Sequence, residues 1–338
     1  MTKKYKVVRL NCKLIPMSPE EIEILSKVGA NIIQIDGDKI QPEDFDIDAL
    51  MVISAKVPSD IVNKLSRCRI IARLGIGVDK IDIKAATDNG IIVTNVPDFC
   101  SSELADHTMA LMLGVARRLL QLDKGFREIG WSIRNKVNIQ RLAGKKLGLI
   151  GFGRLAKEVA KRSIAFGLSV FAYDPYISEE EVNSLGAKKI YSLEEIMKEC
   201  DIISLHLPLN PDTQHLINES LLRKMKPSAI LINTARGAIV DEDALEKALR
   251  EGWISGAGID VFEHMNLFEE VPTKQYCPFF SMDNVIVTPH AAAQSNEAFD
   301  EVRLRAAEEV ARVLSGQMPK NIINPDVNPR LLLKDKIR

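Results

Sequence analysis

Two side chains in the C-terminal half of the sequence have the chemistry to bind and protonate a small carboxylic acid. Arg236, in NTARGAIVDEDAL, and His290, in VIVTPHAAAQS, each follow an apolar run that predicts a buried strand. Ligands of parallel α/β sheets bind at the carboxyl ends of strands, so both residues have a suitable position. A guanidinium can hold a planar carboxylate with two hydrogen bonds, and an imidazole can exchange a proton near neutral pH. By position alone, either residue could instead be structural, as an arginine capping a loop or a packed histidine.

A glycine-rich motif predicts the site of a dinucleotide. LGLIGFGRLA carries Gly151, Gly153 and Ala156 in the pattern G-x-G-x-x-G/A, directly after a predicted strand and at the start of a predicted helix. Asp174 ends the next predicted strand, VFAYD, at roughly the 20-residue distance expected of an acid that holds the ribose hydroxyls. An acid there repels the 2′-phosphate of NADP, so the pattern favours NAD. A tight structural turn is the alternative interpretation of the glycines.

A second glycine-rich loop and two further histidines are weaker candidates. In RLGIGVDKID, Gly75 and Gly77 allow backbone amides to converge on an anion, although a simple strand-to-helix turn has the same composition. His206 ends a predicted strand and is a candidate for packing near the cofactor. His107 lies inside a long predicted helix, so we expect it to be an interface or core residue.

The elements that must position these residues follow one pattern along nearly the whole chain. Short β-branched runs alternate with helical patterns, which is typical of parallel α/β sheets. A long helical pattern starting at Ser101, with Ser101 or Ser102 as its N-cap, separates two such series, and a final amphipathic helix returns to the first. We therefore predict an α/β protein of two Rossmann-like parallel-sheet domains. One comprises residues 1–103 and 297–338, and the other, residues 104–296, is inserted into it.

Composition narrows the class of protein. The 338 residues carry 45 Lys and Arg against 46 Asp and Glu, so we expect neither nucleic acid nor an anionic membrane as a partner. No apolar run approaches the length of a membrane span, and the N-terminus lacks the apolar segment of a signal peptide. The five cysteines are scattered without a CxxC pair, which argues against a disulfide framework or a metal site such as zinc. These features predict a cytoplasmic protein.

An ordered set of sequence blocks resembles one enzyme family. RLGIGVDKIDIKAA, VTNVPD, ADHTMALML, GLIGFGRLA, AYDPY, INTARGAIVDEDAL, GIDVFE and VTPHAAA are similar, in this order, to blocks of the D-isomer-specific 2-hydroxyacid dehydrogenases. The resemblance covers the chain from about residue 49 to about residue 325. It is strongest to the branch that contains the C-terminal-binding proteins and the phosphoglycerate dehydrogenases.

The resemblance implies a role for each candidate residue. Arg236 would bind the substrate carboxylate and 2-oxo group, and His290 would protonate the carbonyl oxygen as NADH delivers a hydride. The backbone amides of Ile76 and Gly77 would also hold the carboxylate. The cofactor site would consist of Thr108, Gly151, Gly153, Arg154, Leu155, Asp174, Leu207, Thr234, Asp260 and His290. It further implies a flavodoxin-like substrate-binding domain, an inserted NAD-binding Rossmann domain, an active site in the cleft between them, and a homodimer formed through the inserted domain.

The sequence departs from the family at the acid that orients the catalytic histidine. That glutamate lies five residues after the aspartate that matches Asp260, and Met265 occupies its position here, followed by Asn266 where the family usually has proline. A thioether is a weak, uncharged acceptor, so the usual histidine–glutamate pair is absent. Three alternatives stay open: Glu263 substitutes, Glu269 or Glu270 folds back, or the chemistry proceeds without a carboxylate. The last is our preferred interpretation.

A second departure concerns the substrate. Phosphoglycerate dehydrogenases have an arginine near the loop ISAKVPSD, where this chain has Ile53 and Lys56, and Lys80 replaces the usual asparagine. Phosphoglycerate is therefore a weak candidate substrate, although Lys56 could still hold a phosphate. Altogether, the sequence predicts an oxidoreductase that transfers a hydride between NAD(H) and a small 2-hydroxy or 2-oxo acid. The alternative is an NAD(H)-sensing binding or assembly protein with little or no turnover.

Overall fold

Two compact units make up the chain. The computed structural model describes residues 4–264, 277–331 and 333. Residues 1–99 and 295–338 form the first unit, and residues 100–294, inserted between them, form the second. The predicted boundaries, after residues 103 and 296, lie slightly further along the chain. Both units are parallel α/β structures, which confirms the predicted fold class.

The first unit contains a five-stranded parallel sheet in the order β2-β1-β3-β4-β5, the flavodoxin-like order. Its strands are β1 (Tyr5–Arg9), β2 (Ala30–Gln34), β3 (Ala49–Val52), β4 (Ile70–Arg73) and β5 (Ile92–Thr94). Its helices are α1 (Pro19–Lys27), α2 (Ser59–Val62), α3 (Ile83–Asp88) and α11 (Asn296–Leu314). All four residues of β3 are buried, which explains its unbroken apolar sequence, because helices cover both faces of such a sheet.

The second unit contains a seven-stranded parallel sheet in the order β12-β11-β10-β9-β6-β7-β8. Its strands are β6 (Lys146–Ile150), β7 (Ser169–Tyr173), β8 (Lys188–Lys189), β9 (Ile202–Leu205), β10 (Ile230–Asn233), β11 (Gly256–Ile259) and β12 (Val285–Val287). Its helices are α4 (Ser101–Ala116), α5 (Leu119–Ile129), α6 (Arg154–Ala165), α7 (Glu179–Ser184), α8 (Leu193–Glu199), α9 (Glu219–Leu222) and α10 (Glu242–Arg250). The strand order reverses between β6 and β9, and ligands of doubly wound sheets bind at such a reversal.

Apolar clusters cover both faces of the seven-stranded sheet. Ile230 and Ile232 of β10 pack with residues of α4 and α6, whereas Leu231 packs with residues of α8, α9 and α10. Successive side chains of a strand point to opposite faces, so this alternation fixes which helices lie on which side. In the described parts of both units, no helix combines the length and apolar composition that a membrane crossing requires.

The prediction of one long helix from Ser101 is wrong in two respects. It consists of two helices, α4 and α5, separated at Arg118, which has a left-handed φ of 56°. The Arg118 guanidinium donates to the Ser255 carbonyl oxygen at 3.0 Å, which stabilises this break through a contact distant in sequence. The N-cap is Cys100, whose side chain makes no capping hydrogen bond, rather than Ser101 or Ser102.

Candidate active site

The glycine motif forms a turn that leads directly into a helix N-terminus. Gly151 has a left-handed φ of 86°, and a Cβ there would lie 2.6 Å from the His206 carbonyl oxygen. Gly153 is the N-cap of α6, and a Cβ there would meet nothing within 4 Å. Arg154 and Leu155 begin the helix, whose first amides and positive dipole end favour an anion. The turn therefore fits a pyrophosphate that approaches the backbone at residue 153.

Asp174 is tied to this turn by hydrogen bonds. It follows β7, its Oδ2 accepts the Phe152 amide at 2.8 Å, and its Oδ1 accepts the Tyr176 amide at 2.9 Å. A carboxylate oxygen can accept about two hydrogen bonds, so these contacts leave capacity for sugar hydroxyls. The glycine motif and Asp174, both of which the sequence links to a dinucleotide, thus lie beside each other.

His206 and Leu207 follow β9, on the other side of the glycine turn. Leu207 Cδ2 would lie 2.9 Å from a Cβ at Gly151. His206 Nε2 lies 2.9 Å from the Ser204 hydroxyl, and burial lowers the His206 pKa to about 4. The imidazole is therefore neutral at physiological pH and is a packing group beside the turn rather than a source of protons.

Thr108 and Thr234 meet in the interior of the same unit. Their Oγ1 atoms lie 3.0 Å apart, and the Thr108 hydroxyl also lies 2.8 Å from the Leu104 carbonyl oxygen. Both side chains are buried. The contact joins α4 to the loop that follows β10, so the two predicted cofactor residues are brought together.

Arg236 lies in a turn that its neighbours hold in place. The buried Asn233 side chain donates to the Arg236 carbonyl oxygen at 2.9 Å and accepts the Ala235 amide at 3.1 Å. The Arg236 guanidinium donates to the Ala235 carbonyl oxygen at 2.7 Å. A guanidinium has five N–H donors, so this bond is compatible with a bidentate grip on a carboxylate.

Gly237 brings the arginine turn against the segment that follows β11. A Cβ at residue 237 would lie 2.1 Å from the Phe262 carbonyl carbon and 2.4 Å from the Glu263 amide nitrogen. Only glycine permits this approach of two backbones. The segment is also held by Glu242 at the start of α10, whose Oε2 accepts the Glu263 amide at 2.6 Å.

Asp260 organises the loop that carries His290. It is fully buried; its Oδ1 accepts the Thr288 hydroxyl at 2.6 Å and the Ala291 amide at 2.8 Å, and its Oδ2 accepts the Ala292 amide at 3.0 Å. The His290 amide donates to the Asp260 carbonyl oxygen at 2.8 Å, and His290 has a left-handed φ of 54°. Because left-handed backbone is costly for a residue other than glycine, these bonds hold an orientation that the chain would not adopt alone.

His107 belongs to the same loop network, which sequence reasoning missed. Its Nε2 lies 3.0 Å from the Thr288 hydroxyl oxygen and 3.6 Å from Asp260 Oδ1. The His107 side chain is half-buried and reaches from α4 to the Asp260 loop, and the expectation that it is an interface or core residue stays a prediction. A helical pattern indicates which face of α4 is buried, but it cannot show which loop faces that helix.

Glu263, the residue considered as a substitute acid, contacts a different histidine. Its Oε1 and Oε2 lie 2.8 and 2.9 Å from Nε2 of His215. The other residues of this question, Met265, Asn266, Glu269 and Glu270, lie outside the described residues.

In the first unit, the loop after β4 turns at Gly75, and the predicted convergence of its amides on an anion stays a prediction. Gly75 has a φ of 144°, and the Arg73 guanidinium occupies the space that a side chain at residue 75 would need. The Asn95 side chain donates to the Ile76 carbonyl oxygen at 2.7 Å, next to Gly77. Both Ile76 and Gly77 are half-buried.

Lys80 is engaged with the neighbouring loop of the same unit. Its Nζ donates to the Ser54 carbonyl oxygen at 3.1 Å and to the Ser54 hydroxyl at 3.0 Å. The cation that replaces the usual asparagine therefore links the loop after β4 to the loop after β3.

Comparison with known proteins decides the family. The model of the D-isomer-specific 2-hydroxyacid dehydrogenase NAD-binding domain matches residues 109–292. A glyoxylate reductase of Aeropyrum pernix is 38% identical over 325 residues, which cover 91% of this chain and 94% of that protein. The chain belongs to the D-isomer-specific 2-hydroxyacid dehydrogenase family. Members of this family transfer a hydride between a nicotinamide cofactor and 2-hydroxy or 2-oxo acids.

Two further similarities place this chain among its relatives. A D-3-phosphoglycerate dehydrogenase of Methanocaldococcus jannaschii is 39% identical over 312 residues, covering 91% of this chain but only 58% of that protein. The D-lactate dehydrogenase of Aquifex aeolicus, complexed with NAD and lactic acid, has a TM-score of 0.85 at 29% identity, covering 94% of this chain and 99% of that one.

The second unit is therefore an NAD-binding domain, and NAD is its cofactor. The residues present fit that group, since the open approach at Gly153 suits a pyrophosphate and Asp174 suits a ribose without a 2′-phosphate. The prediction of NAD as cofactor is confirmed.

Proposed function

We propose that this protein is an NAD-dependent dehydrogenase that reduces a small 2-oxo acid to the D-2-hydroxy acid, or runs the reverse reaction. The observation that carries the proposal is the construction of the second unit, in which Arg236 and His290 follow β10 and β12 and Asp260 organises the histidine loop. In the reduction, the 2-oxo acid gains a hydride at C2 and a proton at the carbonyl oxygen.

The proposal assigns a role to each site residue. Bound NADH supplies the hydride. Arg236 binds the substrate carboxylate and orients the carbonyl group, and His290 donates the proton to the carbonyl oxygen. The resemblance also assigns the amides of Ile76 and Gly77 to the substrate carboxylate, and this assignment stays a prediction. The residues proposed to hold the cofactor are Thr108, Gly151, Gly153, Arg154, Leu155, Asp174, Leu207, Thr234, Asp260 and His290.

Small, unphosphorylated acids such as glyoxylate are the proposed substrate class. The loop that would hold a phosphate has Ile53 where phosphoglycerate dehydrogenases have arginine. Lys80 is already bonded to Ser54 in that region. The glyoxylate reductase of Aeropyrum pernix matches the chain over nearly the full length of both proteins, which supports the same choice.

We further propose that His290 works without the family's orienting glutamate, since Met265 occupies that sequence position. The pairing of both Glu263 carboxylate oxygens with His215 argues against Glu263 as its replacement. Glu242, which contacts the segment after β11, is a buried carboxylate whose pKa is raised by burial, and its Oε2 accepts the Glu263 amide.

A homodimer formed through the second unit is proposed as the assembly. α5 and the 3-10 helix after it (Gly130–Asn135) expose large apolar side chains: Leu119, Leu120, Phe126, Ile129 and Trp131. The rings of Phe126 and Trp131 lie 5.3 Å apart, and exposed apolar patches of sufficient size mark interaction surfaces. A second copy is the proposed occupant, because the family resemblance implies dimerisation through this inserted domain. A cytoplasmic location stays a prediction.

The experiment that tests the function is turnover on a panel of acids with both cofactors. Glyoxylate, hydroxypyruvate, pyruvate, 2-oxoglutarate and 3-phosphohydroxypyruvate would each be offered with NADH and with NADPH. We expect NADH oxidation with at least one small acid and a preference for NADH, because the 2′-phosphate would face Asp174. Binding of NADH without turnover of any acid would instead favour an NAD(H)-sensing protein.

Arg236→Lys sharpens this test. Lysine keeps the charge but loses the planar fork, so kcat/KM should fall by roughly 10²-fold or more on the best acid while the Kd for NADH stays nearly unchanged. Arg250→Lys is the matched control, since Arg250 lies on the exposed surface of α10 and pairs with Glu246. A fully active Arg236→Lys enzyme would show that the carboxylate binds elsewhere.

A further inference from the structure

One titratable side chain outside the predicted set reaches the loop of His290. His107, in the second turn of α4, contacts the Thr288 hydroxyl through Nε2 at 3.0 Å. The same hydroxyl contacts Asp260 Oδ1 at 2.6 Å. The imidazole is 23% exposed, whereas the Asp260 side chain is fully buried. A chain of three polar groups thus runs from the edge of the domain to its buried carboxylate.

The direction of each hydrogen bond in this chain follows from counting hydrogens. Asp260 accepts two backbone amides besides the hydroxyl, so its carboxylate oxygens are the acceptors at this end of the series. Thr288 has a single hydroxyl hydrogen, and the 2.6 Å contact places it toward Asp260. Thr288 can then only accept from His107. Consequently His107 carries a hydrogen on Nε2.

We propose that His107 is a positioning residue of the active site, a role that rests on the proposed dehydrogenase function. Its Nε2–H holds the Thr288 hydroxyl in the orientation that donates to Asp260. Asp260 in turn holds the amides of Ala291 and Ala292, which directly follow His290. His107 therefore acts on catalysis through the path of the His290 loop, without touching the substrate.

Cooperativity between the two hydrogen bonds of the Thr288 hydroxyl makes this contact matter. A donor to a hydroxyl oxygen strengthens the bond that the hydroxyl itself donates, because the groups polarise one another. Asp260 Oδ1 receives both Thr288 and the amide of Ala291, whereas Oδ2 receives the amide of Ala292. Loss of the histidine would weaken the hydrogen bond from Thr288 to Asp260 Oδ1. The Ala291 amide, which donates to the same oxygen and directly follows His290, would then be held less firmly.

Kinetics of substituted enzymes test the role. Glutamine can present an N–H donor near the position of Nε2, whereas leucine fills similar space without one. We expect His107→Leu to lower kcat by about 3- to 10-fold, with the KM of the 2-oxo acid nearly unchanged, and His107→Gln to retain most of the rate. A packing role predicts the opposite order, because leucine suits an apolar site better than glutamine.

A double-mutant cycle separates positioning through Thr288 from a general effect on the helix. Thr288→Val should lower kcat by a similar factor, and His107→Leu should have little further effect in the Thr288→Val background. Independent, multiplying losses would overturn the proposal, as would an unchanged kcat in His107→Leu. Melting temperatures of all variants identify any loss that comes from unfolding.

A spectroscopic measurement shows which ring nitrogen of His107 carries the hydrogen, and it does not depend on turnover. Histidine labelled with ¹⁵N in the full-length protein gives ring signals, of which those of His107 are assigned by their loss in His107→Gln. Above pH 8, where an ordinary histidine is neutral, we expect the hydrogen on Nε2. A hydrogen on Nδ1 would overturn the proposal even in an active enzyme. Conversely, Nε2–H in a protein that reduces no acid would contradict the proposed function and leave this chain of bonds intact.

Discussion

At the scale of single residues, three histidines of the NAD-binding domain differ because of what surrounds each imidazole. Burial lowers the His206 pKa to about 4, so this ring is neutral at physiological pH. His215 is paired with Glu263. His290 follows β12 in a left-handed turn that Asp260 holds. Of the three, His290 is the residue that we propose as the proton donor.

Met265→Glu tests the proposal that the reaction proceeds without the family's glutamate at this sequence position. A nearby anion raises the pKa of an imidazole, so the variant should keep His290 protonated to a higher pH. Because reduction needs that proton, the fall in rate at alkaline pH should move upward, by about one pH unit or more for a close pair. The measurement is the pH dependence of kcat/KM for the best acid in both proteins.

The matched control is Glu263→Gln. Since Glu263 pairs with His215, its removal should leave the position of the alkaline limb unchanged. If Glu263→Gln moves that limb to lower pH, Glu263 already serves His290. In that case Met265→Glu would also have little effect.

At the scale of elements, the site depends on turns that bring backbones together. Gly151 lets β6 turn into α6 against the end of β9, and Gly237 lets the arginine turn lie against the segment after β11. Both approaches join loops at the carboxyl ends of neighbouring strands. The parallel strands place these loops at one edge of the sheet, and the two glycines allow the backbones of neighbouring loops to approach each other closely.

Gly237→Ala should displace the arginine turn. Its Cβ would lie 2.1 Å from the Phe262 carbonyl carbon, so one of the two backbones must move. We expect a loss of about 1–3 kcal/mol in the free energy of unfolding, from overpacking, and a larger relative loss in kcat/KM. Gly37→Ala is the control, because a Cβ there meets nothing within 4 Å. Equal stability of the two variants in urea would contradict this packing.

The elements also show how much the sequence could predict. The strands, the dinucleotide turn and Asp174 were predictable, because apolar periodicity and a short motif are local signals. The break at Arg118 was not, since its left-handed backbone is stabilised by a bond to Ser255, far along the chain. The contacts of His107 with Thr288 and of His215 with Glu263 were missed for the same reason, since each joins residues that are distant in sequence.

At the scale of the whole molecule, one α/β unit is inserted into another, and the inserted unit, which carries Arg236, Asp260 and His290, has its own apolar core. That domain also carries the exposed apolar face of α5 and the following 3-10 helix. Large apolar side chains in such a cluster are costly in water, which is why we expect a second copy to cover them.

Trp131→Glu tests this assembly. Trp131 is 74% exposed, so a charge there should not disturb the core, but it should disrupt a dimer that buries this face. We expect the wild-type protein to sediment as a dimer at micromolar concentration and Trp131→Glu to shift toward the monomer. Ile22→Glu, an exposed position on α1, is the control. A monomeric wild type, or a Trp131→Glu protein that stays dimeric, would contradict the proposed interface.

Transfer of deuterium tests the central claim, hydride transfer from NADH to C2 of a 2-oxo acid, most directly. The protein would be incubated with NADH deuterated at both C4 positions and each acid of the panel, and the products analysed by mass spectrometry and chiral chromatography. The account predicts one deuterium at C2 of the product and the D configuration wherever C2 becomes a stereocentre. NADH that binds with a measurable Kd, but transfers deuterium to no acid, would contradict it.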